Sequence, residues 1–235
     1  MKVLYIAGTG RSGTTVLDRI LGQLDGFFSA GELENIWHRG VLADRKCGCG
    51  VPFSRCPVWT AVLRRAFGGL DGVVASRMAT LSRRHTEPQS IPATLAGGVG
   101  HTDPARFCTG RGWRRPVLLH LVRDPRATAY SFQQKKLPDF GDEGLMQQAP
   151  LVSSRRWVLW QDRSDRYLRV RYQDFMREPQ RTVQRIAALV DEVPAELPVS
   201  SDATVRMQPT HFGVRHPNRF PTGRVEVRAM TSGFI

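Results

Sequence analysis

Short apolar runs and helically spaced apolar residues follow one another along the chain. Residues 3–7 form a continuous apolar run of the kind that becomes a buried strand. Residues 8–13 are rich in glycine and predict a loop. Residues 14–24 carry apolar side chains at helical spacing, namely Val16, Leu17, Ile20, Leu21 and Leu24. The chain therefore opens with a strand, a loop and a helix.

The same order returns twice farther along the chain. Residues 117–122 predict a second strand, and a helix is expected over residues 127–134. Residues 167–172 predict a third strand, followed by a helix over residues 179–190. Strands that alternate with helices are typical of parallel sheets. The pattern thus predicts an α/β fold with a central, mainly parallel sheet.

The length fits one domain. The chain has 235 residues, and a domain commonly has about 100–200 residues, so we expect a single domain over 1–235. Within it, residues 68–116 follow no clear period and are rich in Gly, Pro, Ser and Arg. We expect a short helix near residues 75–84 and irregular structure over the rest of that segment. Residues after 198 predict loops.

Composition and charge narrow the function classes. Hydrophobic residues make up 41% of the chain, which excludes a wholly disordered or collagen-like protein. No apolar run approaches the roughly 20 residues of a membrane span, and the first apolar run is too short for a signal peptide. We therefore expect a cytoplasmic protein with no transmembrane segment. The net charge of +13 favours a polyanionic partner, such as nucleic acid, an anionic membrane or a phosphorylated small ligand, unless it reflects a general bias towards arginine.

Three of the four cysteines lie close together in the sequence, at Cys47, Cys49 and Cys56. Four cysteines are too few for a disulfide scaffold at this length. Zinc would require Cys108 or a histidine as the fourth ligand, and Cys-x-Cys is tighter than the usual zinc spacing. Free thiols, a local disulfide and a metal site all remain open.

A candidate phosphate-binding loop joins the first strand to the first helix. Residues 8–15 read Gly-Thr-Gly-Arg-Ser-Gly-Thr-Thr, and such glycines let backbone N–H groups face an anion at the helix N-terminus. The spacing matches the nucleotide-binding G-x-x-x-x-G-K-[ST] loop, except that Thr14 stands where the lysine belongs. Arg11 would be the substitute cation. The alternative is an ordinary turn between strand and helix.

A second motif leaves the strand at 117–122. Arg123 follows that strand, and Ser131 lies eight residues later in the predicted helix. Because ligands of open α/β sheets bind beyond the carboxyl ends of the strands, both motifs would face one crevice. Arg123 and Ser131 could then share an anion. The alternative is that Arg123 pairs with Asp124 in a structural turn.

Together the two motifs resemble the sulfotransferases that use 3′-phosphoadenosine 5′-phosphosulfate (PAPS) and release the product PAP. The match covers roughly residues 1–65 and 116–228 and points to the bacterial branch that acts on carbohydrate, lipid-linked or other small-molecule hydroxyl acceptors. Supporting matches are Gly31-Glu32-Leu33, Cys47-Gly-Cys-Gly, Pro217 and Arg219. The resemblance implies a P-loop-like three-layer fold and no specific nucleic-acid partner. It implies that the cofactor is bound by Gly10, Arg11, Ser12, Gly13, Thr14, Thr15, Arg123, Ser131, Tyr172 and Arg219.

Transfer of a sulfuryl group to a hydroxyl needs charge stabilisation and a base. Arg11 is our candidate for stabilising the departing phosphate oxygen, and Glu32 is our candidate for the general base. Glu32 follows the first helix and a short strand-like segment, but it could instead be a carboxylate that opens a helix through Trp37. The sulfuryl group carries less charge than a phosphoryl group, so we expect no metal requirement. His38, His101 and His120 are weaker candidates, and His120 fits a packed core position.

Two other functions stay open. A nucleotide or small-molecule kinase would also use a phosphate-binding loop, although the loop lysine is missing. A degenerate sulfotransferase fold could bind anions or nucleic acid without turnover. PAP binding without transfer would indicate the degenerate protein, and salt-sensitive binding of RNA or DNA without PAP binding would indicate a nucleic-acid partner.

Overall fold

The computed structural model describes residues 2–8, 11–33, 36–69, 74–80, 117–134, 166–211 and 222–227. The chain divides into two compact units, each built from separate stretches of sequence. Unit 1 consists of Met1–Thr14, Pro92–Thr204 and Glu226–Ile235, and unit 2 consists of Thr15–Ile91 and Val205–Val225. The single domain expected over 1–235 stays a prediction.

A three-stranded parallel sheet forms the centre of unit 1. Its strands are β1 (Leu4–Ala7), β2 (Val117–Val122) and β3 (Tyr167–Arg171), in the order β1-β2-β3. The register pairs Leu4 with Val117 and Leu118 with Tyr167. Residues 117–121 of the central strand are all buried, as the continuous apolar run predicts for a strand covered on both faces. The mixed α/β fold with a central parallel sheet is confirmed.

Each strand of the sheet leads directly into a helix. The loop after β1 enters α1 (Thr14–Leu21), whose residues after Thr14 belong to unit 2. Among the described residues, the other helices of unit 1 are α4 (Pro125–Gln134) after β2, then α5 (Tyr172–Arg177) and α6 (Pro179–Leu189) after β3. Proline at the start of α6 suits a helix N-terminus, where its missing N–H has no intrahelical role. Because the strands are parallel, the loops that enter α1, α4 and α5 leave the same edge of the sheet.

Unit 2 is mostly helical and has a core of its own. After α1 come a π-helical turn (Ile36–Leu42), a 3₁₀ turn (Phe53–Arg55), α2 (Pro57–Phe67) and a helix over residues 74–80, α3. The buried core side chains are Ile36, Cys47, Phe53, Cys56, Trp59 and Leu63. Two short strands, β4 (Thr204–Met207) and β5 (Gly223–Glu226), form a separate two-stranded sheet. In the described part of the chain, no helix is both long and apolar enough to span a bilayer.

Most predicted elements are present; helix α2 was not predicted, and the main other differences are as follows. The first helix ends at Leu21, three residues before the predicted end at residue 24. Tyr172 begins α5 instead of ending the third strand. The tail after residue 198 contains β4, so its prediction as a loop was wrong. The expected helix near 75–84 appears over residues 74–80, while 70–73 and 81–116 lie outside the described residues.

Candidate functional site

Two glycines shape the loop between β1 and α1. A Cβ atom on Gly8 would lie 2.6 Å from the Ser12 hydroxyl and 2.7 Å from a Thr14 methyl group. Gly13 has a φ of +95°, and a Cβ there would lie 2.4 Å from the Tyr172 ring. Only glycine combines this backbone angle with so close an approach. Gly10, which the sequence also placed in this loop, lies outside the described residues.

Arg11 connects the loop to the second motif. Its Nε donates a hydrogen bond to the Ser131 hydroxyl on α4, at 3.1 Å. Arg123, at the end of β2, donates from Nη1 to the backbone carbonyl of Arg11, at 2.8 Å. Arg11 has a φ of 66°, an uncommon backbone conformation for a residue with a side chain. The structure therefore brings together Arg11, Arg123 and Ser131, three residues that the sequence singled out.

Tyr172 packs between the two motifs. Its side chain is almost fully buried, with one ring edge against Gly13. The guanidinium carbon of Arg123 lies 4.4 Å from the centroid of the same ring, which is the geometry of a cation–π contact. Tyr172 thus supports both the loop and the arginine. Its expected contact with the cofactor stays a prediction.

Two arginines concentrate positive charge at this edge of the sheet. Burial lowers the pKa of Arg11, and the nearby charge of Arg123 lowers it further. Burial also lowers the pKa of Arg123. Both side chains nevertheless remain protonated at neutral pH, because a guanidinium does not lose its proton in proteins. The two half-buried positive charges repel each other. A bound anion would offset this repulsion and would therefore be stabilised at this position.

Ser12 adds a polar group to the loop. Its hydroxyl is fully buried and has no hydrogen-bond partner among the described residues. A buried hydroxyl without a partner is costly, and a phosphate oxygen would supply one. Thr14 and Thr15, in the first turn of α1, are half-buried. The loop therefore has the donors and the helix N-terminus that an anion requires.

Asp124 is engaged at the start of α4. Its carboxylate accepts a hydrogen bond from the backbone N–H of Arg126, at 2.8 Å, and pairs with the Arg126 side chain. These bonds lower the pKa of Asp124 to about 2. This is the usual role of aspartate at a helix N-terminus. The Asp124 carboxylate is therefore paired with Arg126, whereas the alternative interpretation paired it with Arg123.

Glu32 lies in unit 2, on a half-buried segment held against α1. The Ser29 hydroxyl donates to the carboxylate of Asp18 on α1, at 2.6 Å. Gly22 lets the segment approach, since a Cβ there would lie 2.5 Å from the Ser29 Cβ. Gly31, two residues after Ser29, turns the chain with a φ of 69°. The alternative role of Glu32, as a carboxylate that opens a helix, stays open, because helical backbone begins at the next residue, Leu33.

The other predicted candidates fall into three groups. His120 is buried, and its Nδ1 lies 2.8 Å from the Tyr167 hydroxyl, which fits the expected core position. His38 is exposed on the π-helical turn. His101, Cys108, Pro217 and Arg219 lie outside the described residues.

The sequence reasoning missed the half-buried Asp18. Burial raises the pKa of Asp18 to about 6, against smaller opposing effects from Ser29 and Arg19. Positions 18 and 19 fall between the apolar positions 17 and 20, as polar residues do in any amphipathic helix. The pattern therefore carries no local signal for the burial of this carboxyl group.

Comparison with known proteins identifies the fold. No protein-family model matches the chain, and no curated protein matches it. Among solved structures, the sulfotransferase domain from the curacin biosynthetic pathway matches with a TM-score of 0.54 and 16% identity, over 97% of this chain and 82% of that one. The sulfotransferase domain of the Synechococcus PCC 7002 olefin synthase matches with a TM-score of 0.47 and 19% identity, over 82% of this chain and 74% of that one. A sulfotransferase from Alicyclobacillus acidocaldarius matches with a TM-score of 0.44 and 14% identity, over 89% of this chain and 87% of that one.

The chain therefore has the fold of a sulfotransferase domain. The first of these matches covers nearly the whole chain, and the fold confirms the resemblance that the two motifs indicated. At these identities the likeness concerns the fold, and the chemistry must be argued from the site.

Asp18 gives a prediction for stability against pH. Its folded pKa of about 6 lies above the value of about 3.9 expected in the unfolded chain. The native state therefore gains stability from protonated Asp18 below about pH 4 and loses it as the pH rises through about 6. Between pH 4 and 7, the wild type should lose about 1–3 kcal/mol of unfolding free energy relative to Asp18→Asn. Urea denaturation at several pH values measures this difference.

The exposed Asp25 provides the control. Asp25→Asn removes a carboxylate four residues after α1 and should follow the wild-type pH dependence. Parallel curves for the wild type and Asp18→Asn would contradict the proposed cost of burying the Asp18 charge.

Proposed function

We propose that the chain is a sulfotransferase that moves the sulfuryl group of PAPS to a hydroxyl of a carbohydrate, lipid-linked or other small-molecule acceptor. The observation that supports this most is that Arg11 joins the two motifs. Its side chain donates a hydrogen bond to the Ser131 hydroxyl, and its backbone carbonyl accepts one from Arg123. PAPS carries separate anionic groups at its 3′ and 5′ positions. A donor of this kind requires two neighbouring anion-binding groups on one sheet edge.

The described residues fit such a donor. Arg123 and Ser131 would hold the 3′-phosphate, and Ser12, Gly13, Thr14 and Thr15 would hold the 5′-phosphosulfate. The buried Ser12 hydroxyl and the close approach at Gly8 and Gly13 are features of a loop built around an anion. Gly10 and Arg219 complete the proposed set by resemblance.

PAPS would supply an activated sulfuryl group whose transfer to a hydroxyl is an in-line displacement. Arg11, which is hydrogen-bonded to Ser131 and Arg123, would stabilise the negative charge that develops on the leaving phosphate oxygen. Glu32 would accept the proton of the acceptor hydroxyl. We propose that transfer requires no metal, since the sulfuryl group carries less charge than a phosphoryl group. A cytoplasmic location stays part of the same proposal.

A kinase is the second candidate enzyme, and the loop argues against it. Thr14 occupies the position at which a nucleotide-binding loop has its lysine. That lysine normally reaches the β- and γ-phosphates, so the loop lacks the usual contact to ATP. Transfer of label from PAPS to a host-cell extract, with identification of the sulfated product, tests the sulfotransferase directly. PAP binding without any labelled product would favour the degenerate, non-catalytic protein.

Ligand-induced stabilisation should separate the two kinds of cofactor. If the site is built for PAPS, PAP at 100 times its dissociation constant should stabilise the chain by about 2.7 kcal/mol. The same concentration of Mg-ATP should raise the melting temperature less, because the lysine for its outer phosphates is missing. Thermal melts with each ligand make the measurement, and equal or greater stabilisation by Mg-ATP would favour the kinase.

Arg123 should act mainly through the 3′-phosphate. Arg123→Ala should weaken PAP binding by about 1.5–3 kcal/mol, the scale of a hydrogen bond to a charged group. Binding of adenosine 5′-phosphosulfate, which lacks the 3′-phosphate, should change much less. Titration calorimetry with both nucleotides measures the contrast.

Arg126 is a matched control from the same motif. Its side chain is 91% exposed and pairs with Asp124, so Arg126→Ala should leave PAP affinity unchanged. An equal loss for both nucleotides in Arg123→Ala would show that Arg123 acts by holding the Arg11 carbonyl, and the 3′-phosphate role would be wrong.

Glu32 should affect transfer and leave cofactor binding intact. Glu32→Gln keeps the size of the side chain and removes the base, so the transfer rate should fall by roughly 10²–10⁴-fold. Affinity for PAP should stay near the wild-type value, whereas Arg11→Ala should lower both affinity and rate. The assay uses labelled PAPS and the acceptor identified above, with Glu34→Gln as the neighbouring carboxylate control. Near-normal transfer by Glu32→Gln would remove Glu32 as the base.

A further inference from the structure

Four potential metal ligands converge within unit 2. Cys47, Cys49 and Cys56 are all free thiols. The three sulfurs and a ring nitrogen of His211 all lie within 4.8 Å of one another. The cysteines come from one short stretch, and His211 joins them from 155 residues after Cys56. Chance proximity of this kind is rare because the four side chains must point at one place.

The separations fit a tetrahedral site. The Cys56 Sγ lies 3.3 Å from His211 Nδ1, the Cys47 Sγ lies 3.9 Å from the same nitrogen, and the Cys49 and Cys56 sulfurs are 3.9 Å apart. With Zn–S bonds of about 2.3 Å and Zn–N bonds of about 2.0–2.1 Å, tetrahedral geometry places two sulfurs about 3.8 Å apart and a sulfur and nitrogen about 3.6 Å apart. The observed set needs only small side-chain adjustments to hold the ion.

A tight turn makes the Cys-x-Cys spacing workable. The backbone carbonyl of Cys47 accepts a hydrogen bond from the Gly50 N–H, at 2.9 Å. The Cys47 N–H donates to the Val51 carbonyl, at 2.8 Å. Gly50 has a φ of +91°, as such turns often require. The backbone N–H of Cys49 also hydrogen-bonds to the Cys47 sulfur. The turn therefore brings both thiols to one side, which overcomes the objection that their spacing is too short.

The surroundings hold the ligands in place. Cys47 and Cys56 are fully buried in the unit 2 core beside Phe53 and Trp59. The Trp59 indole donates to the His211 carbonyl, at 2.8 Å. This bond holds the backbone of His211 next to α2 and so keeps its side chain near the three cysteines.

We infer that Cys47, Cys49, Cys56 and His211 bind one structural Zn²⁺ ion. Three thiolates and one imidazole in a tetrahedral arrangement suit zinc. The protein fills all four coordination positions, so the site is closed and has no position for a substrate. A disulfide would use only two of the sulfurs and would not explain the convergence of all four groups. This inference does not depend on the proposed sulfotransferase activity.

Metal analysis of the purified full chain tests the site. Protein prepared without a metal-affinity column and dialysed against buffer should contain about one zinc per chain, since one tetrahedral set binds one ion. Cys49→Ser and His211→Ala should each weaken zinc binding by more than about 100-fold, because even outer partners change affinity by about 10–100-fold. Cys108→Ser is the matched control and should keep its zinc.

Two further measurements on the wild type cover variants that fail to fold. A strong chelator should remove the zinc and lower the melting temperature, and added Zn²⁺ should restore it. Cobalt substitution should give the charge-transfer absorption of thiolate ligands. A folded wild-type chain that binds no zinc when supplied with it, or that contains a disulfide among the three cysteines after anaerobic purification, would overturn the proposal. Loss of zinc in Cys108→Ser with retention in Cys49→Ser would overturn it as well.

Discussion

The hydrogen bond from Arg123 to the Arg11 carbonyl is the contact on which the proposed site depends. It joins the end of β2 to the loop after β1, two segments that are 112 residues apart in sequence. The parallel sheet makes the contact possible, because both loops leave the same edge. The bond also holds the backbone of Arg11 in the left-handed region, at a φ of 66°. The loop thereby keeps a shape that it would not adopt in isolation. Arg11 can then direct its side chain to Ser131.

Glu32 belongs to a different part of the molecule and is positioned by different forces. Its segment is held by the bond between Ser29 and the half-buried Asp18 and by the close approach at Gly22. The proposed cofactor contacts of Arg11, Arg123 and Ser131 lie in unit 1, whereas Glu32 lies in unit 2. This separation is why substitutions in the two places are expected to differ in their effects on affinity and rate.

The sheet and most helices could be predicted because their sequence patterns are local. Apolar runs identified the strands β1, β2 and β3, and helical spacing identified α1, α4 and α6. The start of α5 was harder, because a tyrosine and its neighbours have good strand propensity and only tertiary packing makes Tyr172 helical. Helix α2 was also missed, although its apolar residues follow helical spacing in the sequence, at Val58, Trp59, Val62, Leu63 and Phe67. Pairwise contacts such as Arg11 with Ser131 and Cys56 with His211 have no local signal, because the partners are 120 and 155 residues apart.

The side chain of Tyr172 contacts both Gly13 and Arg123, so variation at these three positions is linked. Its ring occupies the space that a Cβ on residue 13 would need and also provides the face on which Arg123 rests. A smaller residue at 172 would make room beside the loop, yet it would also remove the support for the arginine. Positions 13, 123 and 172 should therefore covary in related sequences. Mutant libraries that diversify the loop between β1 and α1 should change these positions together.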